Sequence, residues 1–283
     1  MSAMLIERFE LGTTSAGVTL LYSRGGAFRI DDGRVADVLR QLNELECSVI
    51  ERRELFSRLD VFGSARSEVF DYICDVLRVA RKLPESVATL KFALFADRVS
   101  NLRHVKMELS RYRETTLLCL DEGCTPEAAA SLVVCFLENY REDMVRKIYA
   151  MGDKNIYLTA YLVEQTLYID APFRPSEGTP CHFCHMGRLK KIHAARAAGV
   201  ERSWFYYSAY ILKERVLMRN AMVPSPAQWG LIEYHIAAAA LCAAGIHPLP
   251  ANEMSEMMLS VDLTTGECER SPIVHWEFCD CYA

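Results

Sequence analysis

The chain has 283 residues, 51% of them hydrophobic and 24% charged, which is long for one hydrophobic core, comfortable for two, and far from the composition of a disordered chain. A net charge of −5 gives no electrostatic footprint for holding a polyanion, so nucleic acid is not an expected partner. No apolar run reaches the roughly 18 residues of a membrane span, and the opening MSAMLIERFELG has no secretory pattern; a soluble, cytoplasmic protein is expected.

Residues 4–10, 17–22 and 26–30, set off by Gly12 and Gly25-Gly26, read as three short strands of a β-meander. Helical patterns follow over Val35 to Leu45 behind Asp31-Asp32, Arg52 to Leu59, and Ser67 to Leu83, the last with Val69, Ile73, Leu77 and Ala80 on one stripe. Strands followed by three short helices describe a winged-helix-like module. Residues 1–88 carry 12 Lys and Arg against 14 Asp and Glu, a balance of −2 that disfavours duplex reading through the third helix. Pro84-Glu85-Ser86 marks the expected boundary, giving domains of 1–86 and 87–283.

Beyond it, strands are expected over Thr89 to Ala96, Thr115 to Asp121 and Ser131 to Phe136, with helices near Leu102 to Tyr112 and Arg141 to Met151. Ile156 to Val163 and Thr166 to Ile169 read as a hairpin. The alternation predicts an α/β domain with a largely parallel sheet. Ser203 to Met218 and Pro226 to Ala244 are helical patterns, the second apolar all round and therefore a core helix or a subunit interface. Met257 to Leu263 and Ile273 to Trp276 are strand candidates.

Eleven cysteines are an odd number, and a reducing compartment disfavours disulfides. Cys181 and Cys184 form a CxxC knuckle, and Cys279 and Cys281 a closing CxC; four soft ligands from two short chelate loops fit a closed, tetrahedral, structural zinc. A thioredoxin-like redox pair or unliganded buried thiols are the competing readings, although the redox reading leaves the second pair without a role. His182, His185 and Cys268 are reserve ligands, with hydrogen bonding around the site as the alternative for the histidines. Cys47, Cys74, Cys119, Cys124, Cys135 and Cys242 lie mostly on apolar segments and read as packing. Arg188, Lys190, Lys191, His193 and Arg196 form a basic run that reads as a solvated helix face or a contact for an acidic partner. No nucleophile motif is present. No glycine occurs between Gly63 and Gly123, and the first βα turn reads Ala96-Asp97-Arg98-Val99-Ser100-Asn101; a pyrophosphate turn needs residues without Cβ, so no nucleotide is expected in this chain.

The run Phe136-Leu137-Glu138-Asn139-Tyr140, then Asp143 with Val145-Arg146-Lys147-Ile148-Tyr149, then Gly178 to His185 and Pro272-Ile273-Val274-His275-Trp276 before the CxC resembles the McbB family of zinc-binding subunits of microcin B-type thiazole/oxazole synthetases. The likeness is closest over residues 136–185 and 272–281. It implies a winged-helix-like peptide recognition element followed by a degenerate ThiF-like α/β domain, with the zinc ligands carried onto Cys181, Cys184, Cys279 and Cys281. It also implies a subunit that is not catalytic alone. Such a subunit presents the leader of a ribosomally made precursor peptide to a YcaO-type, ATP- and magnesium-dependent cyclodehydratase and to an FMN-dependent dehydrogenase, and pairs with a second copy of itself. On this likeness the leader adds as a strand in a groove between Ala27, Phe28, Arg29 and Ile30 on one side and Phe70, Ile73, Cys74 and Leu77 on the other. An ATP-using adenylating enzyme of the ThiF type and a zinc-stabilised winged-helix regulator are the alternative readings.

Overall fold

A computed structural model describes residues 3–15, 17–83, 90–98, 102–119, 131–187, 223–247, 257–279 and 281. The chain divides into two compact units, residues 1–89 with 110–113, and residues 90–109 with 114–283.

In the first unit, the apolar run Met4-Leu5-Ile6 is buried on both faces, which suits the middle of a sheet. Strand β1 (Ala3–Ile6) accordingly lies between β5 (Val49–Glu51) and β6 (Ala80–Lys82), antiparallel to both. The expected first strand over 4–10 is thus two elements, and the meander is built from β2 (Glu10–Thr13), β3 (Thr19–Ser23) and β4 (Gly26–Ile30).

Helix α1 (Gly33–Asn43) starts where the Asp32 carboxylate accepts the Arg34 N–H, and it buries Val35, Ala36, Val38, Leu39 and Leu42. Helix α2 (Arg52–Arg58) buries Leu55. Helix α3 (Arg66–Asp71) runs on through a wide turn at Tyr72–Val76. The helix expected to reach Leu83 stops there, because Arg78 takes a left-handed conformation (φ 50°) and the chain turns back to pair with β1. Leu39, Leu55, Leu59, Ile73 and Leu77 form the fully buried centre of this core. Gly25 is required where the β3–β4 turn meets the end of the third helix, since a Cβ there would lie 2.6 Å from the Val76 carbonyl oxygen.

The second unit is a seven-stranded sheet in the order β13-β12-β11-β10-β9-β7-β8. Strands β7 (Lys91–Ala96), β8 (Thr115–Cys119), β9 (Ser131–Leu137) and β10 (Ile156–Val163) are parallel neighbours, while β11 (Thr166–Ile169), β12 (Met257–Asp262) and β13 (Cys268–Pro272) continue antiparallel. The sheet is therefore mixed rather than largely parallel. Glu164 (φ 51°) closes a two-residue link between β10 and β11, and a link that short joins only antiparallel strands.

Helices α4 (Arg103–Ser110), α5 (Glu142–Tyr149) and α6 (Pro226–Ala243) complete this unit. Ser225 and Gln228 form a reciprocal cap at the start of α6. The helix packs on β9, β10 and β11 through residues that include Ile232, Ile236 and Ala240, while Tyr234 is exposed. The core reading of α6 therefore holds for the face that packs on the sheet and for its C-terminal half, where Ala239, Ala240, Leu241 and Ala243 are buried. The strand expected over Ile273 to Trp276 lies earlier, over Cys268–Pro272. Asp262 accepts the N–H groups of Thr264 and Thr265 in the turn between β12 and β13, and that turn sets a register in which Pro272 meets Met257, the first residue of β12.

The chain runs from β7 to β8 on one side and to β9 on the other, which makes the carboxyl ends of β7 and β9 the switch point where open α/β sheets take ligands. Here the Asp97 carboxylate accepts the Asn139 N–H at 2.9 Å, and burial raises its pKa.

Candidate metal centre

Two short segments of the second unit converge on one point. The Cys181 carbonyl accepts the N–H groups of Cys184 and His185 as residues 182–187 enter a helical turn. Those bonds bring two sulfurs three residues apart to one side, 3.9 Å from each other. At the far end the Trp276 carbonyl accepts the Cys279 N–H, turning the chain back. Cys279 Sγ lies 3.5 Å from Cys181 Sγ, and Cys281 Sγ 3.3 Å from Cys184 Sγ.

All four sulfurs lie within 4.8 Å of one another and form a group that could hold a metal ion. A tetrahedral ion with metal–sulfur bonds of about 2.3 Å spaces its sulfurs about 3.8 Å apart, so the donor set fits. Cys181, Cys184 and Cys279 are buried and Cys281 is half-buried. The hydrogen bond between the Cys181 and Cys184 sulfurs raises the pKa of the first and lowers that of the second, so the cluster favours a thiolate at Cys184.

Behind the knuckle lies a buried polar network. The Asp170 carboxylate, directly after β11, meets His182 Nδ1 at 2.5 Å and His185 Nδ1 at 2.9 Å. His182 Nε2 lies 2.9 Å from the Tyr140 hydroxyl. Burial pushes the Asp170 carboxyl upward, but the two imidazoles outweigh it and hold its pKa at about 2. Each knuckle cysteine is thus followed by a histidine bolted to the same carboxylate. The reserve ligands His182 and His185 are not members of the group that could hold the ion, and their Nδ1 atoms meet Asp170. Cys268 is also elsewhere, exposed on β13 with its sulfur 3.8 Å from His235 Nε2.

A histidine that spacing did not single out does reach the centre. His275 Nδ1 lies 3.7 Å from Cys184 Sγ and 3.8 Å from Cys281 Sγ, and its Nε2 lies 2.8 Å from the Gly178 carbonyl oxygen. Its neighbour Trp276 lies flat against the backbone of Gly187, where any Cβ would collide with the indole ring. Gly187→Ala is therefore expected to push Trp276 away and loosen the C-terminal segment. The expected result is weaker metal retention against a chelator and a cost of about 1–3 kcal/mol, read by competition titration and thermal unfolding.

The residues expected at a peptide groove lie in the first unit. Ala27 and Arg29 are exposed, Phe28 is half-buried and Ile30 is buried. Phe70 packs against Phe56 with 5.2 Å between ring centroids and lies under the Arg52 guanidinium. Ile73 and Leu77 are fully buried, and Cys74 is half-buried with its thiol pushed up to about 11 by burial. Among the described residues β4 pairs only with β3, leaving its other edge open. The closing pair Ser23↔Gly26 spans a two-residue loop, and such a pair is hydrogen-bonded, so the backbone groups of Ala27 and Arg29 point to the open edge. The boundary at 84–86, Cys124, the basic run 188–196 and the helical pattern 203–218 lie outside the described residues.

The family profile described as Microcin B17-processing protein McbB matches residues 4–283. The Escherichia coli Microcin B17-processing protein McbB is 29% identical over 157 residues, covering 54% of this chain and 52% of that protein, so the alignment spans about half of the relative's length. A chain of the E. coli microcin synthetase McbBCD complex with pro-MccB17 bound has the same fold, with a TM-score of 0.79, 21% identity and 99% of both chains covered. A chain of a second structure, the E. coli microcin synthetase McbBCD complex, gives a TM-score of 0.57 at 20% identity, with 98% of this chain and 100% of that one covered. With its profile matched almost from end to end and its cysteine pairs brought together, the chain belongs to the McbB family of microcin B17-processing proteins.

Proposed function

We propose that this chain is the leader-binding, zinc-holding scaffold of a thiazole/oxazole synthetase. Residues 1–86 act as the peptide recognition element, and residues 87–283 as a degenerate ThiF-like platform stapled by zinc at Cys181, Cys184, Cys279 and Cys281. The observation that carries the reading is the open edge of β4, whose turn with β3 meets the end of the third helix at Gly25; an extended peptide can add as a strand to such an edge and gain affinity from main-chain hydrogen bonds. Family membership and the fold shared with a chain of a synthetase complex described with pro-MccB17 bound support it.

On this reading Phe28, the half-buried member of β4, contacts a leader side chain, whereas Ile30, Ile73 and Leu77 hold the groove from within the core. Heterocycle formation belongs to a YcaO-type cyclodehydratase using ATP and magnesium, and oxidation to an FMN-dependent dehydrogenase. The subunit works in the cytoplasm, pairs with a second copy of itself and catalyses nothing alone. The Asp97 carboxylate, which accepts the Asn139 N–H at the switch point, supports a platform without nucleotide.

Isothermal titration of the full chain with the leader segment of a Cys/Ser/Gly-rich precursor tests this. Micromolar or tighter binding without ATP turnover is expected. Ala27→Pro and Arg29→Pro each remove a donor from the open edge, where proline is tolerated by the fold, and are expected to weaken binding by about two- to tenfold at one hydrogen bond's worth each. Wild-type binding by both variants would refute strand addition at β4.

A further inference from the structure

The metal centre offers more donors than a tetrahedral ion can use. Four are the cysteine sulfurs, and the fifth is the imidazole of His275. A carbonyl oxygen only accepts, so the contact between His275 Nε2 and the Gly178 carbonyl at 2.8 Å places the ring proton on Nε2. In the neutral ring Nδ1 then carries the lone pair, and it faces Cys184 Sγ at 3.7 Å and Cys281 Sγ at 3.8 Å. This is how metal-binding histidines are prepared, with one nitrogen fixed by a backbone carbonyl so that the other presents its lone pair to the ion.

The anchor also belongs to the centre. Gly178 ends the turn at Pro175–Glu177 in a left-handed conformation (φ 64°) and lies three residues before Cys181, so the loop that delivers the knuckle also aims the imidazole. The four sulfurs differ in how firmly they are held. Cys181, Cys184 and Cys279 are buried in the core cluster, whereas Cys281 is half-buried. Of the two cysteines that His275 faces, one is fully buried and the other is the most exposed of the four.

We infer that His275 is a fifth, standby ligand that takes the place of Cys281, so that the metal stays bound through Cys181, Cys184, Cys279 and His275 when the Cys281 sulfur is lost. The inference rests on the reading that the four cysteines hold zinc. The imidazole, with Nδ1 3.8 Å from the Cys281 sulfur, turns toward the corner that Cys281 vacates, and a mixed sulfur–nitrogen set of three cysteines and one histidine is a normal structural zinc sphere. The consequence is a clamp that tolerates alkylation or oxidation of its most exposed thiol without releasing the ion.

Cobalt(II) loaded into the full-length chain in place of zinc, under anaerobic conditions, reads ligand type directly. The wild-type protein is expected to bind one equivalent with an all-thiolate spectrum. Cys281→Ala is expected to keep one equivalent, with ligand-field bands moved to shorter wavelength and thiolate charge-transfer absorption lower by about a quarter, one thiolate in four. Adding His275→Ala to that variant is expected to weaken binding by a further factor of about 100, whereas His275→Ala alone leaves the all-thiolate spectrum. Cys281→Ser repeats the test with a closer replacement, and circular dichroism checks that each variant is folded. If Cys281→Ala and Cys281→Ser, both folded, release cobalt as completely as the double variant, or show the same spectrum with and without His275, the standby role is wrong. A wild-type chain that binds no stoichiometric metal would instead overturn the zinc reading itself.

Discussion

Cys279→Ala is expected to abolish tight metal binding and to free the C-terminal segment from the second unit. Cys279 is buried, lies 3.5 Å from the Cys181 sulfur, and belongs to a core cluster with Tyr140, Met144, Val145 and Tyr157. Truncating it leaves a void in that cluster and opens one corner of the metal sphere on the side away from the Cys184–Cys281 pair that His275 faces. Each tenfold loss of metal affinity removes about 1.4 kcal/mol of the stabilisation that binding adds to the folded state. Structural zinc contributes on the order of 10 kcal/mol in small peptides, so a loss of several kcal/mol is expected, seen as a large fall in Tm at fixed zinc. A chelator should lower the wild-type Tm toward that of the variant and leave the variant unchanged. Because thiolates must be deprotonated to bind, the difference should also shrink as the pH is lowered and the wild-type protein loses its metal. Equal melting of wild type and variant in excess zinc would show that the cysteines do no more than pack.

Asp170→Ala is the second large effect, and it arises without any metal. The carboxylate is buried against two buried imidazoles, and removing it leaves both rings with unpaired nitrogens in a dry site, a change that costs about 3–5 kcal/mol in comparable buried pairs. Asp170→Asn keeps the shape and isolates the charge. The folded carboxyl titrates at about 2, against 3.8 for the ordinary group, a depression that corresponds to about 2 kcal/mol. Since the folded value is the lower one, that contribution is fully present above pH 4 and fades as the pH falls from there toward 2. Urea unfolding of metal-free wild type and Asp170→Asn at pH 7, 4 and 3 should therefore show a stability gap that is constant between the first two and narrower at the third. A gap that widens in acid would contradict the assignment.

The parts of the site that could be read from the chain are those whose chemistry is local. Cys181 and Cys184 share one turn, and Cys279 and Cys281 share another, so the spacing alone makes each pair a chelate loop. His275 and Asp170 carry no such mark. The first stands four residues before the CxC, at no recognised ligand spacing, and the second follows a strand in the plain run Ile169-Asp170-Ala171. A signal for Asp170 was present in the repeated Cys-His of Cys181-His182 and Cys184-His185, which places two imidazoles where one partner could serve both. The identity of that partner depends on which strand end the knuckle docks against.

The same division runs through the fold. Apolar stripes located α1, α2 and α6 to within two residues at either end, because a helix makes its hydrogen bonds within its own segment and its buried face repeats every 3.6 residues. Strands carry no such internal closure. The expected hairpin of β10 and β11 did form, but that β1 leaves the meander for a sheet with β5 and β6, that β12 pairs with β11, and that β4 keeps an open edge depend on segments far apart in sequence. The amino-acid sequence by itself therefore determined helices such as α1, α2 and α6, the two thiol pairs and the glycine-free βα turn. Only the tertiary structure decided which strands remote in sequence became neighbours and which side chains met the thiols, since those contacts depend on the distance between remote segments, a quantity that no local pattern encodes.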